Sequence, residues 1–324
     1  MTLNRIVTFW LLVLLTPLVL AVCLLFGASG IGVPDWRAEH SIFMLRLNRV
    51  LAGFIIGASL SCAGVVLQAV LRNPLAEPYV LGVSSGAALG AALAILTGIG
   101  ALGMFAVPLS AFVLAAATLA IVYGLASRGG SPSIYGLILS GVIVSSICSS
   151  ILMFLVSVAS VEGLHSVMWW MLGNLEVTSY PLLRAAGALC LAGGVVVWWL
   201  APELNALTLG HEMAHHLGVR VRVALSTALV LATLITAAAV GTAGLIGFVG
   251  LIVPHAARSL LGPDHRRLIP GAALGGGMFL AVCDALARTV MAPIEVPVGV
   301  ITALLGGPFF LFLLHRRRKQ SWVG

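Results

Sequence analysis

PYVLGVSSGAALGAALAILTGIGALGMFAVPLSAFVLAAATLAIVYGLAS, residues 78–127, lies between Glu77 and Arg128 and contains no charged residue. A membrane-spanning helix takes about 20 apolar residues. The run is therefore long enough for two spans, with Gly98-Ile99-Gly100 as the hairpin between them. Outward from it, charge-free runs recur. Residues 6–34 hold one, closed by the turn Gly32-Val33-Pro34-Asp35, and residues 50–71 hold the next, entered from Arg46 and Arg49 and left at Arg72. Further spans are expected at 135–157, 181–201, 223–242, 244–262, 270–290 and 298–315, which makes ten. The fold class is an all-α polytopic membrane protein forming a single transmembrane domain over residues 1–324. Its longest polar loop is 203–222.

Composition agrees. The chain is 60% hydrophobic and 8% charged, against about 25% charged in a soluble domain, so its charges cannot coat a soluble globule of 324 residues. The sole lysine is Lys319, which excludes a P-loop and a lysine Schiff base in the core. Cys23, Cys62, Cys148, Cys190 and Cys283 stand singly in apolar stretches, as buried small hydrophobes rather than a zinc or disulfide framework. The net charge of +7 comes from bases dispersed between spans, so no nucleic-acid partner is expected.

The same bases set the topology. With the N-terminus in the cytoplasm, Arg5, Arg72, Arg128, Arg220, Arg222, Arg258, Arg266, Arg267, Arg316, Arg317, Arg318 and Lys319 lie inside, 12 of the 17. Arg37, Arg46, Arg49, Arg184 and Arg288 then face outward, and both termini are cytoplasmic. The first apolar run exceeds a signal-peptide core and nine spans follow, so it is read as retained. Residues 158–180 lie outside, with His165, Trp169 and Trp170 at helical spacing in a short helix, for interface anchoring or substrate contact. Gly82, Gly86 and Gly90, and Gly244, Gly247 and Gly250, form strips that let helices approach closely. Gly-Ala-Ala-Leu-Gly occurs at 86–90 and 271–275, either an internal repeat or a coincidence among 37 glycines.

His211-Glu-Met-Ala-His215, followed by His216, is a literal H-E-x-x-H. On a helix, His211 and His215 could hold zinc while Glu212 activates water, which makes an intramembrane zinc protease one alternative. The motif lies in a polar loop rather than a span, however, and the downstream acids Asp264, Asp284 and Glu295 offer no well-placed third ligand.

The same segment, Leu209 to Gly218, resembles the cytoplasmic-loop signature of ABC importer permeases, a short Glu-Ala helix ending at glycine. Arg46-Leu-Asn-Arg49, Asn73-Pro-Leu-Ala-Glu-Pro78, Leu81-Gly-Val-Ser-Ser-Gly86, Gly247-Phe-Val-Gly-Leu-Ile-Val-Pro-His255 with Arg258, Asp264-His-Arg266 and Glu295-Val-Pro-Val-Gly299 extend it. In that order they resemble the FecCD family, permease subunits for iron-siderophore, haem and cobalamin uptake.

The resemblance implies a bacterial inner-membrane permease homodimer with two cytoplasmic ATPase subunits and an external substrate-binding protein. It requires no cofactor and no catalysis by this chain. It places ATPase coupling on Gly210, Glu212, Ala214, Leu217 and Gly218, and a cytoplasmic gate at Asn73 and Leu75, where a proline-bracketed turn would look the same. It nominates Arg46 and Arg49 for docking the binding protein, against a reading as snorkelling side chains. Asn48 stands where the family usually has proline. Asp284 and Arg288, four residues apart within a span, are either a structural pair or a transport site. A proton-coupled secondary transporter is the third class, weakened by the scarcity of buried carboxylates.

Overall fold

A computed structural model describes residues 2–27, 30–32, 40–127, 132–176 and 180–321. Val33–Asp35 of the expected turn, Arg37 and Arg128 lie outside the described residues. α1 (Thr2–Leu25) runs into a small antiparallel hairpin, β1 (Phe26–Gly27) with β2 (Gly30–Ile31), in which Phe26 pairs with Ile31. α2 (His40–Val70) leads through a 3-10 turn at Pro78–Leu81 into α3 (Val83–Leu96) and α4 (Ala106–Ala126). α5 (Ile134–Ser157), α6 (Val161–Met171), α7 (Tyr180–Trp199), α8 (Ala201–Thr208) and α9 (His211–His216) follow. α10 (Val221–Ala243), α11 (Val249–Leu261), α12 (His265–Thr289) and α13 (Val298–Ser321) complete the order.

The ten expected spans coincide with α1 to α5, α7 and α10 to α13. Among the described residues, seven of these helices, α1, α2, α4, α5, α7, α10 and α12, are long and apolar enough to cross a membrane, while α3, α11 and the apolar stretch Val298–Leu311 of α13 are shorter. α2 is central: 78% of its apolar window is buried inside the protein, against 11% for α1. Small residues make that centrality possible. A side chain at Gly57 would strike the carbonyl of Gly276 on α12, and one at Gly64 would strike that of Gly250 on α11. Gly86 and Gly90 pack likewise against Leu114, Thr118 and Ser110 of α4. Backbones thus meet directly where lipid provides no hydrophobic drive for association.

Two boundaries differ from the sequence reading. α2 begins at His40 rather than residue 50, so Arg46 and Arg49 lie within the helix instead of at its entrance. The expected span 244–262 is helical only over Val249–Leu261, because Gly244 and Phe248 adopt positive φ of 74° and 68° and break the ladder. α3 and α11, of 14 and 13 residues, reach only about 20 Å each, short of a hydrocarbon core of about 30 Å. Irregular backbone makes up the difference. A side chain at Gly250 would meet Pro78 and the carbonyl of Leu60, so both irregular segments lie alongside α2 well before its end at Val70. Such backbone requires internal hydrogen-bond partners at that depth.

Candidate functional site

The partners come from the Pro-bracketed turn after α2. The Glu77 carboxylate accepts from the main-chain N–H of Phe248. The Tyr79 hydroxyl donates to the Ile246 carbonyl at 2.6 Å and accepts from the Ile246 N–H at 2.8 Å. Gln68 donates to the Gly250 carbonyl at 3.4 Å and accepts from Arg258 at 3.2 Å. Two breaks in the helical bundle are therefore stapled to each other. Asn73 closes the turn, its side-chain oxygen accepting from the N–H of Leu75 at 3.0 Å, an Asx-turn that accounts for asparagine there. Asn73 is exposed and Leu75 half-buried. The importance of Glu77, Tyr79 and Gln68 was not read from the sequence; the available signal was an acid and a tyrosine around Pro78, facing a Gly-rich break in another span.

A mutation pair separates the staple from mere filling. Glu77→Ala leaves the Phe248 N–H without its acceptor and is expected to lower stability by about 1–3 kcal/mol, whereas Glu77→Gln keeps an acceptor and loses less. Thermal unfolding in detergent reads the difference; equal transitions for Glu77→Ala and the unmodified chain would dismiss the staple.

At the face carrying the β-hairpin and α6, four charges meet. Arg49 Nε lies 2.8 Å from Asp284 Oδ1, and Arg49 Nη1 lies 2.6 Å from Glu295 Oε2. Arg288 Nε lies 3.1 Å from Asp284 Oδ2, and its other nitrogens donate to the carbonyls of Phe26 and Cys23 at 3.0 and 3.4 Å. Asp284 is completely buried, while the Glu295 side chain is 34% exposed. Arg46 is buried as well, donating to the carbonyls of Gly32 at 2.8 Å and Leu24 at 3.3 Å. Neither Arg46 nor Arg49 projects freely outward, as docking charges were expected to. Burial of their charge is compensated within the chain: carbonyls satisfy one guanidinium and two carboxylates the other. The i,i+4 pairing of Asp284 with Arg288 is present, joined by Arg49 from α2. On the same face, α6 stacks His165 on Trp169 with ring centroids 6.0 Å apart.

At the opposite face, α8 and α9 form an elbow. Leu204 and Leu207 anchor α8 in the core. Asn205 locks it sideways, donating to Asp264 at 2.8 Å and accepting from the N–H of His265 at 3.0 Å. Burial raises the Asp264 pKa, but the hydrogen bonds from Asn205 and the Arg266 N–H, with the charges of Arg266 and Arg267, outweigh it and hold the carboxyl below its ordinary value. Gly210, at φ 111°, turns the chain into α9. Ala214 is fully buried, and Glu212 is exposed. The end of α9 is a Schellman cap: the Gly218 N–H donates to the His215 carbonyl at 2.9 Å and the Val219 N–H to that of Ala214 at 3.0 Å, with Gly218 at φ 82°. Leu209, Met213 and Leu217, at spacings of four, are 64%, 52% and 60% exposed. Leu209 ends α8, and Met213 and Leu217 lie on α9 and at its end, so both arms of the braced elbow expose large apolar side chains, which outside a span mark a contact surface. His211 and His215 share α9 as the H-E-x-x-H reading expected, yet among the described residues no three His, Cys, Asp or Glu side chains gather to hold a metal ion.

Comparison with known proteins bears on this architecture. The chain is 38% identical to the hemin transport system permease protein HmuU of Yersinia pestis over 318 residues, covering 94% of this chain and 95% of that one. It is 44% identical to the cobalamin import system permease protein BtuC of Halobacterium salinarum over 291 residues, 90% of this chain and 77% of that one. A solved inward-facing structure assigned to the metal-chelate type of ABC transporter superposes with a TM-score of 0.87 at 31% identity, covering 96% of this chain and 99% of that one. The family model for the FecCD transport family matches residues 9–316. With its apolar spans, paired helix breaks and braced α8–α9 elbow, the chain belongs to the FecCD transport family, as an integral membrane permease subunit of an ABC transporter and not an enzyme.

Proposed function

We propose that the chain is the translocating subunit of an ATP-driven importer of a metal chelate, iron-siderophore or haem before cobalamin, in a bacterial inner membrane. The observation that carries the reading is the exposed Leu209-Met213-Leu217 stripe on an elbow whose two ends are fixed by buried leucines and a Schellman cap. Such a lever suits a cytoplasmic ATPase surface, to which Gly210, Glu212, Ala214, Leu217 and Gly218 belong. The 203–222 loop and both termini then face the cytoplasm. Two copies form the path between them, and ATP-driven closure of two partner ATPases is transmitted through α8 and α9 to reopen the path on the other side. Asn73 and Leu75 sit on the turn that leads into the irregular, stapled segments, a fitting position for the inner gate. An external binding protein docks at the opposite face, where Arg49 and the half-exposed Glu295 form the accessible part of the charge network; an acid of the partner would take the place of Glu295.

The test is uptake into proteoliposomes containing the permease with its ATPase, supplied with haem, a ferric siderophore or cobalamin on the binding protein. ATP-dependent accumulation of one of these is expected. Uptake that survives ATP depletion but collapses with an uncoupler would instead establish a proton-coupled carrier.

A further inference from the structure

A cavity of about 760 Å³ opens between α1 and α7, floored by α2 and α12. Phe9, Phe54, Ala58, Leu191, Val195 and Leu274 are among its lining, which is apolar along its depth except for Ser59, whose hydroxyl donates to the Ile55 carbonyl. One rim differs. Arg266 and Arg267 line it there, and Arg5, next to the lining residue Ile6, lays its guanidinium against Gly262 at the same end of α12. Among the described residues, neither the Arg266 nor the Arg267 guanidinium takes part in a hydrogen bond or ion pair. The nearby Asp264 carboxylate accepts from Asn205 and the Arg266 main-chain N–H instead. Trp10 and Trp198 also line the groove, and Trp198 Nε1 donates to the Arg266 carbonyl at 2.9 Å, a placement typical of tryptophan at a membrane interface.

The dimensions are those of one leaflet. On α12 the lining runs from Arg266 to Leu274, and on α7 from Trp198 back to Gly187, or about 12 and 16 Å of helix. Half a hydrocarbon core is about 15 Å. A flat lipid-facing surface would solvate any acyl chain alike. A concave groove with cations at its headgroup end distinguishes lipids by charge.

We propose that this groove is a binding site for one anionic phospholipid, with its acyl chains between α1 and α7 and its phosphate at Arg266 and Arg267. In the orientation proposed above the lipid belongs to the inner leaflet, but the site itself stands on the groove and its cationic rim alone, independently of the transport reading. Arg266 is exposed and Arg267 half-buried, so both can turn toward a phosphate. The added charge would also tie α1, which buries little of its own surface, to the α12 end of the bundle.

Native mass spectrometry of the full-length permease, offered equal amounts of phosphatidylglycerol and phosphatidylcholine with matched acyl chains, tests the assignment. The unmodified chain is expected to retain phosphatidylglycerol roughly tenfold over phosphatidylcholine. Arg266→Ala with Arg267→Ala should abolish the preference while leaving some lipid bound. Gly194→Leu should reduce retention of both lipids, because its added side chain points into open groove with nothing within 4 Å of the new Cβ. Equal retention of the two lipids by the unmodified chain, or a preference that survives the double arginine variant, would overturn the proposal. So would a groove that retains no lipid because a second copy of the chain closes it.

Discussion

Asp284→Ala is expected to be the most damaging single substitution in this chain. Asp284 is fully buried and receives two guanidiniums, Arg49 at 2.8 Å and Arg288 at 3.1 Å. With Glu295 the four side chains sum to zero charge. Removing the central carboxylate strands positive charge against apolar helices, and breaking a buried pair by deleting one partner costs about 3–5 kcal/mol. Total stabilities of about 5–15 kcal/mol leave little margin for that loss. Arg288 would keep only main-chain carbonyls, those of residue 284, Phe26 and Cys23, and Arg49 only Glu295 at the rim. The expected readouts are a sharply reduced membrane yield and a large drop in the unfolding temperature of whatever is recovered. Glu295→Gln, at a side chain 34% exposed, is expected to change stability by no more than about 1 kcal/mol. Were Asp284→Ala to unfold with the unmodified chain, the network would not be holding α2 to α12, and a transport role for Asp284 would gain ground.

That network explains where reading the sequence stopped short. Charge scarcity located the spans because a charge in lipid is costly, and the rule works wherever each charge marks an end. It failed at Arg46 and Arg49, which read as a boundary although α2 continues past them toward His40. Their compensation comes from carbonyls near the β-hairpin and from acids more than two hundred residues away, and no local pattern encodes those. The break at 244–248 was hidden for the opposite reason. Its residues are as apolar as the helices around it, so hydropathy cannot separate them, and only the glycines at 244, 247 and 250 hinted at irregular backbone. The elbow was more legible. A short helix ending at glycine was expected over Leu209–Gly218, and α9 with its Gly218 cap lies there. What the chemistry of His211, Glu212 and His215 obscured was the plainer signal, the leucine-methionine-leucine stripe beside them.

Gly218→Pro is expected to sever ATP hydrolysis from uptake. Gly218 holds φ 82°, and proline is confined near −65° and lacks the N–H that reaches the His215 carbonyl at 2.9 Å. The Schellman cap cannot form with proline there, and α9 loses the fixed angle at which it leaves for α10. Strain of about 1–3 kcal/mol at such a position converts to roughly a fivefold to 150-fold fall in the correctly posed elbow. The core is spared, because Gly218 is exposed and no neighbour lies within 4 Å of its Cβ position. Membrane yield and unfolding temperature should therefore stay close to those of the unmodified chain, in contrast to Asp284→Ala. ATP-dependent uptake should drop by the same factor, about fivefold or more, while the partner ATPase still turns over. Glu212→Arg reverses an exposed charge on the same helix without touching the cap, and the same uncoupling is expected through the contact surface rather than through the backbone. Normal uptake by both variants would remove α9 from the coupling route. Loss with Gly218→Pro alone would assign the coupling to the angle of the elbow rather than to the charge it presents.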